Sequence, residues 1–128
     1  MLITLDMTGE EPIYLQLRNA IVLGIASGSL QAGEGLPSVR QLAEDLGINA
    51  MTVNKAYTLL KDQGFIEIDR RQGAKVRVSA DAEPHFPGHW QKQLALSIAE
   101  GLARGMGKDE FMKTCEQLCE NLDQGEKI

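Results

Sequence analysis

The sequence predicts a mainly α-helical protein carrying one small β-hairpin, and three observations within residues 36–78 support that prediction. Two short amphipathic segments are separated only by Gly47, Ile48 and Asn49, too little chain for anything but a tight turn. Two strand-like stretches then flank a glycine-containing turn. Residues 70–78 hold Arg70, Arg71, Lys75 and Arg77 with no carboxylate, the only dense positive segment of the chain. Helix, tight turn, helix and basic hairpin is the order of a winged helix-turn-helix head.

Residues 1–11 read equally as a short ordered arm or a frayed end. A first helix starts at Pro12, whose missing N–H is tolerated at an initial helical position, and Ile13, Leu17, Ile21 and Ile25 recur every four residues. Gly28, Gly33, Gly35 and Pro37 mark a loop. Ser38 opens the second helix with a capping box, its hydroxyl accepting an early backbone N–H while Gln41 reaches back. Leu42, Ala43 and Leu46 form its apolar stripe, and about two turns on, Gly47 suits a left-handed cap. Asn49 caps a third helix in which Val53, Ala56, Tyr57 and Leu60 repeat at i, i+3, i+4 and i+7. Two helices joined so closely cross steeply, which frees the first turns of the third to enter a groove. The hairpin reads as strands at 65–69 and 75–78 around a turn at 70–74, and its charge suits phosphates or a minor groove.

Residues 79–88 read as a linker, because Pro84 and Pro87 discourage helix. A helix from about His89 places Trp90, Leu94, Ile98 and Leu102 at four-residue intervals, and Gly105 and Gly107 punctuate its end. A last helix from about Lys108 places Phe111, Cys115, Leu118 and Leu122 on one face. Two helices cannot enclose a large core alone, so these residues are the expected dimerisation surface. The predicted organisation is a DNA-binding head at 1–78, a linker at 79–88 and a short helical dimerisation region at 89–128.

A formal net charge of −5 contrasts with the basic footprint of most DNA binders. Its distribution is informative: residues 1–78 carry −1 and residues 79–128 carry −4. An acidic far end turns the basic hairpin toward DNA, while few phosphate contacts per subunit predict modest non-specific affinity. The 43% of hydrophobic residues indicates a folded chain. No basic segment followed by an apolar run opens the sequence, and no 18-residue apolar stretch occurs. Both facts argue against secretion and membrane spanning, leaving the cytoplasm as the expected compartment.

The run LPSVRQLAEDLGINAMTVNKAYTLLKDQGFIE, with Gln72 and Gly73 beyond it, resembles the GntR family of bacterial transcription regulators. Asn49, Thr52, Val53, Lys55, Ala56 and Tyr57, spelling NxxTVxKAY, resemble in particular its small YtrA-like subgroup. The resemblance extends from about Pro12 to Val78, and the short acidic tail fits it. It implies that Arg40 occupies the place of a DNA-contacting arginine. Many relatives carry arginine where Ala50 and Asn54 stand here, and Arg71 replaces a common first glycine of the hairpin tip, so the operator should differ.

The expected DNA-binding residues are Ser38, Arg40, Asn49, Ala50, Thr52, Asn54, Lys55, Arg71, Gln72 and Gly73. Asn54 has the bidentate amide that pairs with adenine, Thr52 suits a phosphate or a thymine methyl, and Lys55 a phosphate or guanine. Ala50 permits close approach or touches a thymine methyl, and Arg71 adds a phosphate contact. Solvated helix surface is the alternative reading of these positions, and a surface salt bridge that of Arg40.

Cys115 and Cys119 are spaced i, i+4, as are His85 and His89, so a metal held between subunits is a competing idea. Pro84 and Pro87 oppose a helical histidine pair, Cys115 already belongs to an apolar stripe, and neither pair has a four-ligand signature. No metal or cofactor is expected. With no phosphate-cradling loop and no nucleophile, base and orienter set, no enzyme is expected either, nor the aminotransferase-like domain fused to some related heads. The sequence thus predicts a cytoplasmic, homodimeric regulator, a repressor rather than an activator, on a palindromic operator. Its half-sites would lie about 34 to 36 Å apart or at a multiple. An effector- or metal-responsive regulator, a protein-binding winged helix and an RNA-binding variant are the alternatives, because fold alone does not fix the partner. The identity of any effector is not legible.

Overall fold

The computed structural model describes residues 3–77 and 88–124, which fall into two units, one in each stretch. Expectations for residues 1–2, 78–87 and 125–128, including those for Val78, Pro84, His85 and Pro87, lie outside the described residues.

The first unit contains α1 (Ile13–Ser27), α2 (Val39–Leu46), α3 (Ala50–Asp62), β1 (Ile66–Asp69) and β2 (Gly73–Val76). The stripes read from the sequence meet in one core. Leu17 and Ile21 of α1, Leu42 and Ala43 of α2, and Val53, Ala56, Tyr57 and Leu60 of α3 close over Ile66, Ala74 and Val76 of the hairpin. No polar or charged side chain among the described residues is buried with them. Each full burial of a large apolar side chain contributes about 1.5–3 kcal/mol, so core burial rather than helix propensity fixes this arrangement.

Residues 3–11 form an arm on this core. Ile3 and Leu5 pack against it. The Gln16 amide accepts from the Asp6 backbone N–H at 2.7 Å and donates to the Asp6 carbonyl at 2.9 Å. Hydrogen bonds from the Thr8 hydroxyl and backbone N–H lower the Asp6 carboxyl below its ordinary pKa.

Pro12 is the N-cap of α1 rather than its first helical residue. Its ψ of 144° is extended, while its carbonyl already accepts from the N–H groups of Leu15 and Gln16. Ser38 caps α2, its Oγ accepting from the Gln41 N–H at 3.0 Å. The other half of the predicted capping box is absent, because the Gln41 amide donates to the Asp45 carboxylate at 2.8 Å, a charge-assisted bond one turn ahead. Gly47, at φ 68°, ends α2 in the left-handed region, and Asn49 Oδ1 accepts from the Met51 N–H at 2.7 Å to open α3.

The hairpin pairs Ile66 with Val76 and Asp69 with Gly73 in antiparallel register. β2 begins two residues before the expected start, because Gly73 at φ 75° supplies the left-handed residue that closes a three-residue loop. Phe65 lies outside β1, although its carbonyl accepts from the Arg77 N–H. Part of the segment read as a plain loop pairs with β2. The Gly33 N–H donates to Val76, the Val76 N–H to Glu34, and the Leu36 N–H to Ala74, at 3.0, 2.9 and 2.8 Å.

The second unit holds α4 (Gly88–Ala103) and α5 (Lys108–Asp123). Gly88, read as the end of the linker, is the first residue of α4. Phe111 of α5 packs over Gly101 of α4, where an added methyl would meet its ring at 3.4 Å. Phe111, Cys115, Leu118 and Leu122 are half-buried on one face of α5, and Ile98 is half-buried on α4. Trp90, Leu94 and Leu102 are exposed, as are Leu96 and Met112. Neither helix contains a fully buried residue. Among the described residues no helix is long and apolar enough to cross a membrane.

Candidate nucleic-acid interface

Consecutive residues before α2 join it to the hairpin and to α3. Leu36 is bonded through its backbone to β2, and the Pro37 carbonyl accepts from the Tyr57 hydroxyl of α3 at 2.7 Å. The start of α2 is therefore tied to the hairpin and to α3 at once. The Tyr57 ring is 2% exposed, and burial pushes its hydroxyl up to about 12, so it remains a donor at neutral pH.

α1 is locked to the far end of α3 by Arg18. Its guanidinium lies 5.3 Å from the Phe65 ring centroid and donates to Gln63 at 3.0 Å and to Asn19 at 2.9 Å. Partial burial lowers its pKa.

On α2, the Ser38 hydroxyl is engaged as a cap, and the Arg40 side chain is 90% exposed with Nε 3.7 Å from Glu44. So open an ion pair contributes a few tenths of a kcal/mol, roughly 0.3–0.5, and holds the guanidinium weakly. On α3, Asn49 is engaged through Oδ1, while Ala50 and Asn54 are exposed. Thr52 was expected on the open side and is half-buried, since it lies four residues before buried Ala56 on the flank of the core-facing stripe. Lys55 is exposed, as expected, and its Nζ lies 4.0 Å from the centroid of the Tyr14 ring of α1, a cation–π contact.

At the hairpin tip, Arg71, Gln72 and Gly73 are exposed, and the Asp69 carboxylate accepts from the Arg71 N–H at 2.9 Å. Lys75 stands opposite Glu67 in the register, Nζ to Oε2 3.9 Å. The free positive charge of the hairpin is smaller than residues 70–78 suggest, because the compensating carboxylate comes from the other strand.

Sequence reading missed Met51, which is 78% exposed in the first turn of α3. The available signal was its spacing, two residues or about 200° of helix from Val53. It also missed the ring of Tyr14 beneath Lys55 and the bond from Tyr57 to Pro37, both of which join distant segments. A cleft of ≈ 360 Å³ lies between the arm, the loop and α2, and its carboxylates, Glu34 and Asp45, accept from the Gln31 N–H and the Gln41 amide. Cys115 and Cys119 are free thiols, and among the described residues no group of three or more His, Cys, Asp or Glu is placed to hold a metal.

The family model for bacterial regulatory proteins of the gntR family matches residues 11–76. The HTH-type transcriptional regulator Rv1152 of Mycobacterium tuberculosis is 37% identical over 99 residues, 77% of this chain and 82% of that protein. The structure of YtrA from Sulfolobus acidocaldarius, a GntR-family transcription factor, is 37% identical with a TM-score of 0.59, covering 93% of this chain and 97% of that one. A transcriptional antiterminator from Listeria monocytogenes has a structure with a TM-score of 0.87 at 25% identity, covering 100% of this chain and 97% of that one.

Proposed function

The chain belongs to the GntR family of bacterial regulatory proteins, and from that membership we propose that it is a homodimeric cytoplasmic repressor reading a palindromic operator. It is a transcriptional regulator with a winged helix-turn-helix DNA-binding domain, of the YtrA-like kind. The observation that carries the proposal is the start of α3. Val53, Ala56 and Tyr57 anchor one side in the core, while Ala50, Met51 and Asn54 stand exposed on a helix start fixed by the Asn49 cap. A helix presented in this way fits the major groove of B-DNA.

In this reading Asn54 pairs with adenine, while Ala50 and Thr52 line a methyl or a phosphate. Ser38, Asn49 and Arg40 set the register on the backbone, and Lys55 adds charge from its place over Tyr14. Arg71, Gln72 and Gly73 touch the flanking groove. The head would comprise residues 1–78, the linker 79–88 and the dimerisation region 89–128. Support for a dimer comes from the second unit, where Trp90, Leu94 and Leu102 are exposed and the stripe of Phe111, Cys115, Leu118 and Leu122 is only half-buried. Joining two copies along these faces removes apolar surface from water. In this reading repression follows from occupancy, a bound dimer excluding polymerase from the same stretch of DNA. Any effector must favour one arrangement of the two heads over another.

The likeness to an antiterminator favours a second reading, in which the partner is a transcript. Duplex DNA remains preferred, because the deep, narrow major groove of A-form RNA does not admit α3. The test is selection from a random duplex library at physiological salt, with a random RNA library in parallel. A palindromic duplex consensus is expected. A single unrepeated half-site would overturn the dimeric operator, and enrichment of RNA alone would replace this reading with the second.

A further inference from the structure

We infer that Met51 is a sequence-reading residue that selects thymine through its 5-methyl group, an inference that rests on the DNA-reading assignment above. At 78%, Met51 is the most exposed of the large hydrophobic side chains among the described residues. Single exposed apolar residues are ordinary, but the setting of this one is not arbitrary. Its backbone N–H is held by Asn49 Oδ1 at 2.7 Å, so the side chain departs from a fixed point rather than a fraying end. Val53, two residues on, is fully buried, which turns Met51 away from the core and toward whatever α3 approaches. Its neighbours leave the apolar reach to it, since Ala50 offers one methyl and Thr52 is half-buried.

Base edges in the major groove display donors, acceptors and one apolar group, the methyl of thymine. A thioether has no donor and accepts weakly, so against guanine, adenine or cytosine it covers polar atoms without replacing their bonds to water. Against a methyl it removes apolar surface from water on both sides, and its three rotatable bonds let it adjust to the fit. The operator should therefore require a thymine near the base met by Asn54. The two contacts differ in kind: one is lost with a methyl, the other with an amide.

The test uses the full chain and the duplex consensus from the selection described above. Each thymine is replaced singly by deoxyuridine, which removes only the methyl, and affinity is measured for the unaltered protein, Met51→Ala and Met7→Ala, the last removing another exposed thioether of the head. At one position per half-site, deoxyuridine is expected to weaken the unaltered protein about fourfold, the worth of one methyl returned to water. Met7→Ala should show the same loss there, and Met51→Ala should show none. The slope of affinity with salt should be unchanged in Met51→Ala, which separates lost base reading from a misplaced head. Equal losses in Met51→Ala and the unaltered protein, or no loss at any thymine, would overturn the inference while leaving DNA reading intact. Failure to enrich any duplex would overturn both.

Discussion

Replacing Tyr57 by phenylalanine removes one oxygen from the core and tests whether it braces the start of α2. The ring is 2% exposed, so phenylalanine retains its packing, while the Pro37 carbonyl loses the donor at 2.7 Å. A buried acceptor left without a partner costs about 1–3 kcal/mol; Pro37 is only half-buried, so about 1–1.5 kcal/mol is expected at pH 8. Titration supplies an independent handle. Burial raises the hydroxyl from 10.0 to about 12 in the folded protein. Below pH 10 both states are protonated and the contribution of Tyr57 is fully present. Between pH 10 and 12 the unfolded chain ionises first and binds fewer protons than the native state, so stability falls as pH rises. At pH 11 the ideal loss is roughly 1.4 kcal/mol, reduced to about 1 by partial access of water to the hydroxyl. The phenylalanine variant lacks this loss, so its deficit should nearly vanish by pH 11. Urea unfolding of both proteins at pH 8, 9.5 and 11, compared pairwise so that other ionisations cancel, reads the gap directly. A gap that stays constant across this range would refute the ionisation argument, and equal stability at pH 8 would refute the brace.

Gly47→Ala places a side chain at φ 68° and should cost about 1–2 kcal/mol in the urea midpoint; an unchanged midpoint would mean that this turn does not need the left-handed residue. Arg40→Ala should weaken binding to all duplexes and reduce the salt slope by about 1, whereas Asn54→Ala should cost about 1–3 kcal/mol chiefly at one base pair, with both profiles taken by fluorescence anisotropy. The coupling between Lys55 and Tyr14 should amount to about 0.5–1 kcal/mol in a double-mutant cycle with Lys55→Ala and Tyr14→Ala, and strictly additive effects would deny the contact energetic weight. Leu94→Asp or Leu118→Asp should shift the sedimentation coefficient to that of a monomer while the thermal unfolding of the head is retained; a dimer persisting in both variants would place the interface elsewhere.

The helices of the head were legible because their determinants are local. Ser38 and Asn49 cap where their side chains reach the next turn, and the buried stripe of α3 is the one its spacing specifies. Gln41 was legible only by half, since two acceptable geometries competed and the nearer carboxylate won. The pairing of residues 33–36 with β2 left no trace in side-chain pattern: its bonds are backbone only, and Gly33 and Gly35 carry no alternation. The contacts of Lys55 with Tyr14 and of Lys75 with Glu67 are not legible in the sequence because the partners belong to other elements. Met51 lies outside the core stripe and carries no polar group, so neither apolar periodicity nor polar chemistry marks it in the sequence.

The bonds at Leu36 and Pro37 also bear on the thermodynamics of recognition. Because hairpin, α2 and α3 are joined through adjacent residues before any DNA arrives, the head meets its site already ordered, and the conformational entropy of assembling its contacts is incurred during folding. Association should then show the modest heat-capacity change of docking two preformed surfaces, not the large one of a segment that folds as it binds.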